Sequence, residues 1–317
     1  MALRTCVLLG VAGTLALTLV TACGGGSPSS GSVAGGPVVH ALVPRTDDTT
    51  GAFKPAPTDP ASSSSSGLPA DVPSGTSSGG ALTAQAFPGV PSVGALFFDG
   101  GAVATLHYCT ASVVHSAGGD LIVTAAHCVY GSMFGGYQNH ILFVPGYHDG
   151  IAPYGTWFAT SAVVDKRWVA SSDPDVDVAF LTVREVGASS AASAGIGGST
   201  SSTSSAGDGP TLESLTGADR FHSDPSYTDT VDVIAYPFGA EQPVSCANHT
   251  TQRSATQLRF DCGGFPDGSS GAPFLTADGA LAGVVGGYQQ GGDTPETSYS
   301  SYFGADIDAL YGAAAHV

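Results

Sequence analysis

From residue 87 onward, short apolar runs alternate with Gly, Asp, Ser and Pro. Runs at 94–98, 121–129, 141–144, 157–164, 176–183, 231–236, 257–260 and 280–285 each have strand length. Several carry the period-2 alternation of a half-buried strand, as in Val176-Asp177-Val178-Ala179-Phe180-Leu181. Helical periodicity is scarce, and its best example is residues 306–315. Many short strands with turn signals between them predict an all-β barrel or sandwich with a short C-terminal helix. A Ser/Gly/Ala-rich stretch, 187–209, interrupts the pattern and divides the strands into two groups, about 87–186 and about 210–317. It reads as a flexible insertion between two halves. No internal sequence repeat is evident.

The first 86 residues follow other rules. Arg4 precedes an apolar run over 7–20, the layout of an export signal covering 1–23. The run ends in Val20-Thr21-Ala22-Cys23, which resembles a bacterial lipobox and makes Cys23 the candidate for lipidation. An ordinary signal peptide cleaved near Ala22 is the alternative. Residues 24–86 are rich in Gly, Ser, Pro and Thr, with an unbroken serine run at 62–66. They read as a disordered tether with an end-to-end distance of roughly 45 Å. No other stretch is long and apolar enough to span a membrane.

Composition narrows the function. Charged residues make up 11% of the chain and the formal net charge is −17. An acidic surface with two lysines, Lys54 and Lys166, repels phosphate backbones, so nucleic acid is not an expected partner. Gly (45) and Pro (20) are abundant but not periodic, which excludes collagen. Cys6 lies in the signal. Cys109, Cys128, Cys246 and Cys262 remain, an even number in an exported domain, and imply two disulfides. Of the three possible pairings the local one, Cys109–Cys128 with Cys246–Cys262, is expected, each bridge contributing about 3 kcal/mol. No Cys-x-x-Cys or His-rich spacing marks a metal site.

Three segments carry candidate chemistry. In Val123-Thr124-Ala125-Ala126-His127-Cys128 a β-type run ends in two small residues, a histidine and a cysteine able to pin it. In Asp175-Val176-Asp177-Val178-Ala179-Phe180-Leu181 an acid enters an apolar run, where burial demands a partner. With Asp173 the spacing also fits an exposed strand face or a calcium site. In Gly268-Ser269-Ser270-Gly271-Ala272-Pro273 glycines flank a serine ahead of an apolar strand. Such a turn can aim consecutive N–H groups into one concavity.

Together the three segments resemble the chymotrypsin/trypsin-like serine protease family over about residues 87–311. Thr124-Ala125-Ala126-His127-Cys128 matches the family's histidine motif, Asp177-Val178-Ala179-Phe180-Leu181 its aspartate segment, and 268–273 its nucleophile motif. The order His127, Asp177, Ser270 is also the family's order. The resemblance implies two six-stranded antiparallel β-barrels with a site in the cleft between them. It implies His127, Asp177 and Ser270 as the catalytic residues and the N–H groups of Gly268 and Ser270 as the oxyanion hole. Asp175 is the second choice for the acid. By register, Gly264 and Phe265 would floor the specificity pocket, and Gly286, Gly287 and Tyr288 would wall it. With no acid at the floor and Val285 in place of a histidine nearby, an apolar pocket is expected, and Asp267 reads as a solvated turn residue, with the cleft rim as the alternative.

Ser269 stands where the digestive enzymes carry an aspartate that pairs with a new N-terminus, and no Ile-Val-Gly-Gly-like site precedes the first barrel. Activation by an N-terminal ion pair is therefore not expected. Ala272 replaces a second glycine. The function implied is an extracytoplasmic serine endopeptidase, monomeric and free of cofactor. It would act on protein or peptide substrates and touch a membrane only through Cys23. The alternatives are a catalytically inactive protease-like surface binding module, an esterase (whose Gly-x-Ser-x-Gly elbow is absent around Ser270) and a purely structural lipoprotein.

Overall fold

The computed structural model describes residues 33–44, 53–55, 72–78, 80–98, 106–186 and 209–316. The export signal with Cys23, the serine run at 62–66 and nearly all of the 187–209 insertion lie outside the described residues. Residues from Val33 onward form one compact unit. Among the described residues no helix is long and apolar enough to cross a membrane.

The chain enters through an edge strand, β1 (Pro37–Ala41). The first barrel follows with β2 (Val93–Phe98), β3 (His107–Val113), β4 (Leu121–Thr124), β5 (Ile141–Pro145), β6 (Trp157–Asp165) and β7 (Ala179–Glu185). Its antiparallel ladders run β2-β3-β4-β7-β6-β5 and return to β2, closing a six-stranded ring. Closure removes the free edges an open sheet would expose. The interior is filled by Phe97, Phe143, Trp157 and Phe180 among aliphatic neighbours, all buried.

The second barrel uses β8 (Thr230–Ala235), β9 (Val244–Ser254), β10 (Gln257–Asp261), β11 (Pro273–Leu275), β12 (Ala280–Val284) and β13 (Thr297–Ser301). Its ladders run β12-β11-β8-β9-β10-β13, the same strand order as the first. The β13–β12 seam is joined by single bonds: Gly286 N–H donates to the Tyr299 carbonyl at 2.9 Å and Val284 N–H to Ser300 Oγ at 3.0 Å. A smaller core of Val233, Phe260, Phe265 and Phe274 fills it. The two disulfides are Cys109–Cys128 in the first barrel and Cys246–Cys262 in the second.

Among the described residues two of the helices are short, α1 (Lys166–Ser171) and α2 (Leu212–Thr216), and α3 (Ala305–Ala314) is the last element. α3 returns to the first barrel. Ile307 and Leu310 are buried, and the Tyr311 ring stacks on Phe221 with centroids 4.3 Å apart.

The segment read as a disordered tether departs from that expectation where it is described. β1 pairs with β6 in register, Pro37 opposite Asp165 through Ala41 opposite Ser161. Lys54–Pro55 pairs with Ile151–Ala152, and Gln85–Ala86 pairs with Ser245 and Val244 of the second barrel. Leu42 and Phe53 join the first core, and Leu82 and Ala84 pack on the second. The segment thus binds both barrels. Its low-complexity composition masks this because an edge strand is held by backbone hydrogen bonds, and a few apolar residues are enough to seat it.

Against the first barrel Asp219 is buried. Its N–H donates to the Val113 carbonyl at 2.8 Å, its own carbonyl accepts from His115 N–H at 3.0 Å, and Oδ1 accepts from Ser92 Oγ at 3.3 Å. Burial pushes its carboxyl up to about 7, against the opposing hydroxyl bond from Ser92.

Two outcomes follow from this packing. Burial of Leu42 and Phe53 stabilises by about 1.5–3 kcal/mol each. At about 2–4 °C per kcal/mol, a chain lacking 33–86 is expected to melt on the order of 10 °C below the full chain by circular dichroism. An unchanged midpoint would contradict the structural role of this segment. For Asp219, the folded state holds a proton that the unfolded carboxyl releases near pH 4. Its contribution to stability is therefore full below about pH 4 and is lost as pH rises towards 7, by up to about 1.4 kcal/mol per unit. In Asp219→Asn, denaturant unfolding between pH 4 and 7 should lose that slope. Identical slopes in both proteins would contradict it.

Candidate active site

His127 lies on a single 3-10 turn, Ala126–Cys128, immediately after β4. Ala125 and Ala126 are fully buried, so small side chains let the turn pack against the barrel. The Cys109–Cys128 bridge ties the turn to β3, and Tyr108 Oη donates to the Cys128 carbonyl at 3.0 Å. Burial raises the Tyr108 phenol above its ordinary range, which keeps it a neutral donor. The imidazole is 14% exposed.

Asp177 is fully buried. It does not sit within a strand, as the period-2 pattern implied. It ends the turn Pro174–Val176, and β7 begins two residues later. Oδ1 accepts from His127 N–H at 2.9 Å and Oδ2 from His127 Nδ1–H at 2.8 Å. A third donor, Gly287 N–H, reaches Oδ2 at 2.9 Å from the second barrel. Three donors satisfy a carboxylate that would otherwise be costly to bury. With Nδ1–H given to the carboxylate, Nε2 is left as the acceptor on the open side.

The neighbouring acids do other work. Asp173 accepts from Asp175 N–H at 3.1 Å and caps the turn. Asp175 Oδ1 accepts from Thr256 Oγ1 at 2.8 Å and Gln257 Nε2 at 3.0 Å. Asp177, and not Asp175, faces the imidazole.

The serine turn depends on two left-handed glycines, Gly268 at φ +92° and Gly271 at φ +81°. A Cβ on Gly271 would fall 2.1 Å from Thr124 Oγ1 and 2.2 Å from the Thr110 carbonyl, so no other residue fits there. Within the turn, Ser269 N–H donates to the Pro266 carbonyl, Ala272 N–H to that of Ser269 and Gly271 N–H to that of Val285. Among the described residues, Gly268 N–H and Ser270 N–H have no protein acceptor. Ala272 is fully buried, and Ser269 Oγ is buried without a partner.

His127, Gly268, Ser269 and Ser270 line one cleft of about 830 Å³. No hydrogen bond joins His127 Nε2 to Ser270 Oγ among these residues, a looseness common in unliganded sites. Cys109, Cys128 and His127 also cluster, but the bridged sulfurs are not free to ligate a metal.

Of the residues assigned by register to the specificity pocket, one faces the cleft. Phe265 lines the cleft. Gly264 instead packs against Ala84 of the N-terminal segment. Gly286, Gly287 and Tyr288 are not on the lining, because this stretch is used to support the site. Gly286 lies against Asp177, Gly287 donates to it, and the Tyr288 ring carries the Arg253 guanidinium 3.4 Å from its centroid. The wall is made by Val285 and residues 289–295. Gln289 and Gln290 adopt left-handed φ of +54° and +52°, and Gln289 Nε2 bonds to Asp293 Oδ2. Sequence reasoning missed this segment and also Phe238, which is 56% exposed on the cleft. The Gly-Gly pair at 291–292 was the one visible signal. Asp267 and Asp293 both line the cleft.

A model of the trypsin-like peptidase domain matches residues 109–284. The chain belongs to that family. The matched span of the trypsin-like peptidase domain encloses His127, Asp177 and Ser270. Among solved structures, the chain is similar to the protease Anisep from Arthrobacter nicotinovorans, at 24% identity and a TM-score of 0.59. That match covers 74% of this chain and 99% of the other. It is similar to the thermostable serine protease AL20 from an extremophilic microorganism, at 23% identity and a TM-score of 0.57, covering 71% and 97%. It is also similar to a Glu endopeptidase at 16% identity and a TM-score of 0.54, covering 71% and 91%. At these identities the likeness establishes the chymotrypsin-like fold. No curated protein sequence matches.

Proposed function

We propose that this trypsin-like peptidase is a serine endopeptidase that works through Ser270, His127 and Asp177 and an acyl-enzyme. The observation that carries the reading is the buried Asp177 carboxylate, which holds His127 Nδ1 at 2.8 Å, with Ser270 across the same cleft.

Serine is a weak nucleophile at neutral pH and needs an adjacent base. His127 Nε2 takes the proton of Ser270 Oγ as that oxygen bonds to the scissile carbonyl carbon. Asp177 keeps the ring in the required tautomer and stabilises the imidazolium. The carbonyl oxygen becomes an oxyanion that accepts from the unpaired N–H groups of Gly268 and Ser270. The C–N bond then breaks, and the amine leaves with the proton returned by His127. Water, deprotonated by His127, attacks the resulting ester, and Ser270 leaves with that proton.

Phe265, Pro266, Val285 and Pro295 on the cleft wall support a preference for an apolar side chain. Two disulfides support an oxidising, extracytoplasmic compartment, with Cys23 as the lipid-anchoring residue.

The test is labelling of the full chain with a fluorophosphonate, followed by peptide mapping. The expected adduct is on Ser270 and is absent from Ser270→Ala and His127→Ala. A folded wild-type chain that stays unlabelled, or is labelled elsewhere, would overturn the reading.

A further inference from the structure

We propose that Thr110 is the positioning residue for the oxyanion loop and does from the first barrel what an ion pair at position 269 would otherwise do. This rests on the assignment of the Gly268 and Ser270 N–H groups as oxyanion donors.

A peptide N–H points away from the carbonyl of its own unit. The direction of each donor is therefore set by the peptide units around it. Four consecutive units make up the loop. The Asp267–Gly268 carbonyl accepts from Phe238 N–H at 2.7 Å, and the Ser269–Ser270 carbonyl accepts from Ala272 N–H at 3.0 Å. The other two units are gripped by one residue. Thr110 Oγ1 donates to the Gly268 carbonyl at 3.0 Å, and Thr110 N–H donates to the Ser270 carbonyl at 2.7 Å. Thr110 therefore holds the loop on both sides of the Ser269–Ser270 unit that carries one of the two donors.

Its hydroxyl does more. Oγ1 accepts from Tyr236 N–H at 2.9 Å, and two residues later Phe238 N–H holds the Asp267 carbonyl. A single side chain thus links both units that flank Gly268. Thr110 is itself fixed: it is fully buried, follows the bridged Cys109, and its carbonyl accepts from Thr124 Oγ1 at 2.8 Å. Both the donor and an acceptor position of the hydroxyl are in use, all with good geometry.

The side chain at position 269 offers no competing grip. Ser269 is neutral, buried, and its Oγ has no partner among the described residues. The Gly268 backbone also has no slack, since a Cβ there would lie 2.3 Å from Phe238 N. Among the side chains, Thr110 is the one whose bonds reach the loop on both sides of Ser269.

Thr110→Val keeps the shape and removes the hydroxyl, leaving the Gly268 carbonyl and Tyr236 N–H unpaired. Thr110→Ser keeps the hydroxyl. The probe is a fluorophosphonate, whose phosphoryl oxygen needs the same two donors. Its saturation curve separates the maximal labelling rate from the half-saturating concentration. In Thr110→Val the maximal rate at Ser270 is expected to fall about 10²-fold, with the half-saturating concentration within about twofold of wild type. Thr110→Ser should restore the rate to within a few-fold. If circular dichroism shows Thr110→Val to be unfolded, Thr110→Ala replaces it and must label at least about tenfold more slowly than Thr110→Ser. Wild-type labelling rates in a folded Thr110→Val, or equal rates in the Ala and Ser variants, overturn the inference while leaving Ser270 as nucleophile. Failure of the wild-type chain to label at Ser270 overturns the assignment of the site itself, and the inference with it.

Discussion

The buried carboxylate of Asp177 is the constraint to which the rest of the structure answers. An ionised group without contact to water is costly, by several kcal/mol, unless donors surround it. Here two donors come from the His127 turn of the first barrel and one from Gly287 of the second. Neither barrel alone can satisfy the group, so the charge is stable only when the two are docked. Docking in turn sets the imidazole opposite Ser270. Much of the supporting detail serves this end. Ser301 Oγ accepts from Asp177 N–H at 3.1 Å and donates to the Pro174 carbonyl at 2.9 Å. Gln257 bonds to the Pro174 carbonyl, Asp175 and Tyr288 N–H, and so ties the aspartate turn to the turn that supplies Gly287.

A second inter-barrel contact answers a different problem. The serine turn must present two amides with no protein partner, and a chain with free amides tends to find acceptors within itself. The carbonyls of this loop are all engaged, two of them by Thr110 from the first barrel. Asp177 and Thr110 thus both reach from the first barrel to the second, Asp177 to Gly287 and Thr110 to the serine loop. One orients the proposed base and the other the proposed oxyanion donors. The N-terminal segment adds a third tie, pairing with β6 on one barrel and β9 on the other.

Some of this was legible in the sequence, and the reasons differ by residue. A histidine between two alanines and a cysteine at a strand end is informative because small residues and a bridge are what a tightly packed turn needs. The local disulfide pairing followed from parity and spacing. The acid was harder. Asp173, Asp175 and Asp177 share one period, and only the fold separates a cap, a partner for Gln257 and a partner for His127. The expectation of a continuous strand through Asp177 failed because Asp173 and Pro174 start a turn whose last residue is Asp177, and the strand begins only at Ala179. The cleft wall was not legible, since it rests on the left-handed backbone of Gln289 and Gln290, which side-chain patterning does not encode. The pairings of 37–41, 54–55 and 85–86 were hidden for a related reason: edge pairing is a backbone property, and low-complexity composition says little about it.

The most direct test of the account is a crystal structure of the full chain carrying a fluorophosphonate adduct. The account predicts a phosphorus bonded to Ser270 Oγ and a phosphoryl oxygen about 2.7–3.1 Å from the nitrogens of both Gly268 and Ser270. In the same structure Thr110 Oγ1 should still hold the Gly268 carbonyl. An adduct whose phosphoryl oxygen turns away from those two nitrogens, or a loop whose Gly268 carbonyl has left Thr110, would contradict it.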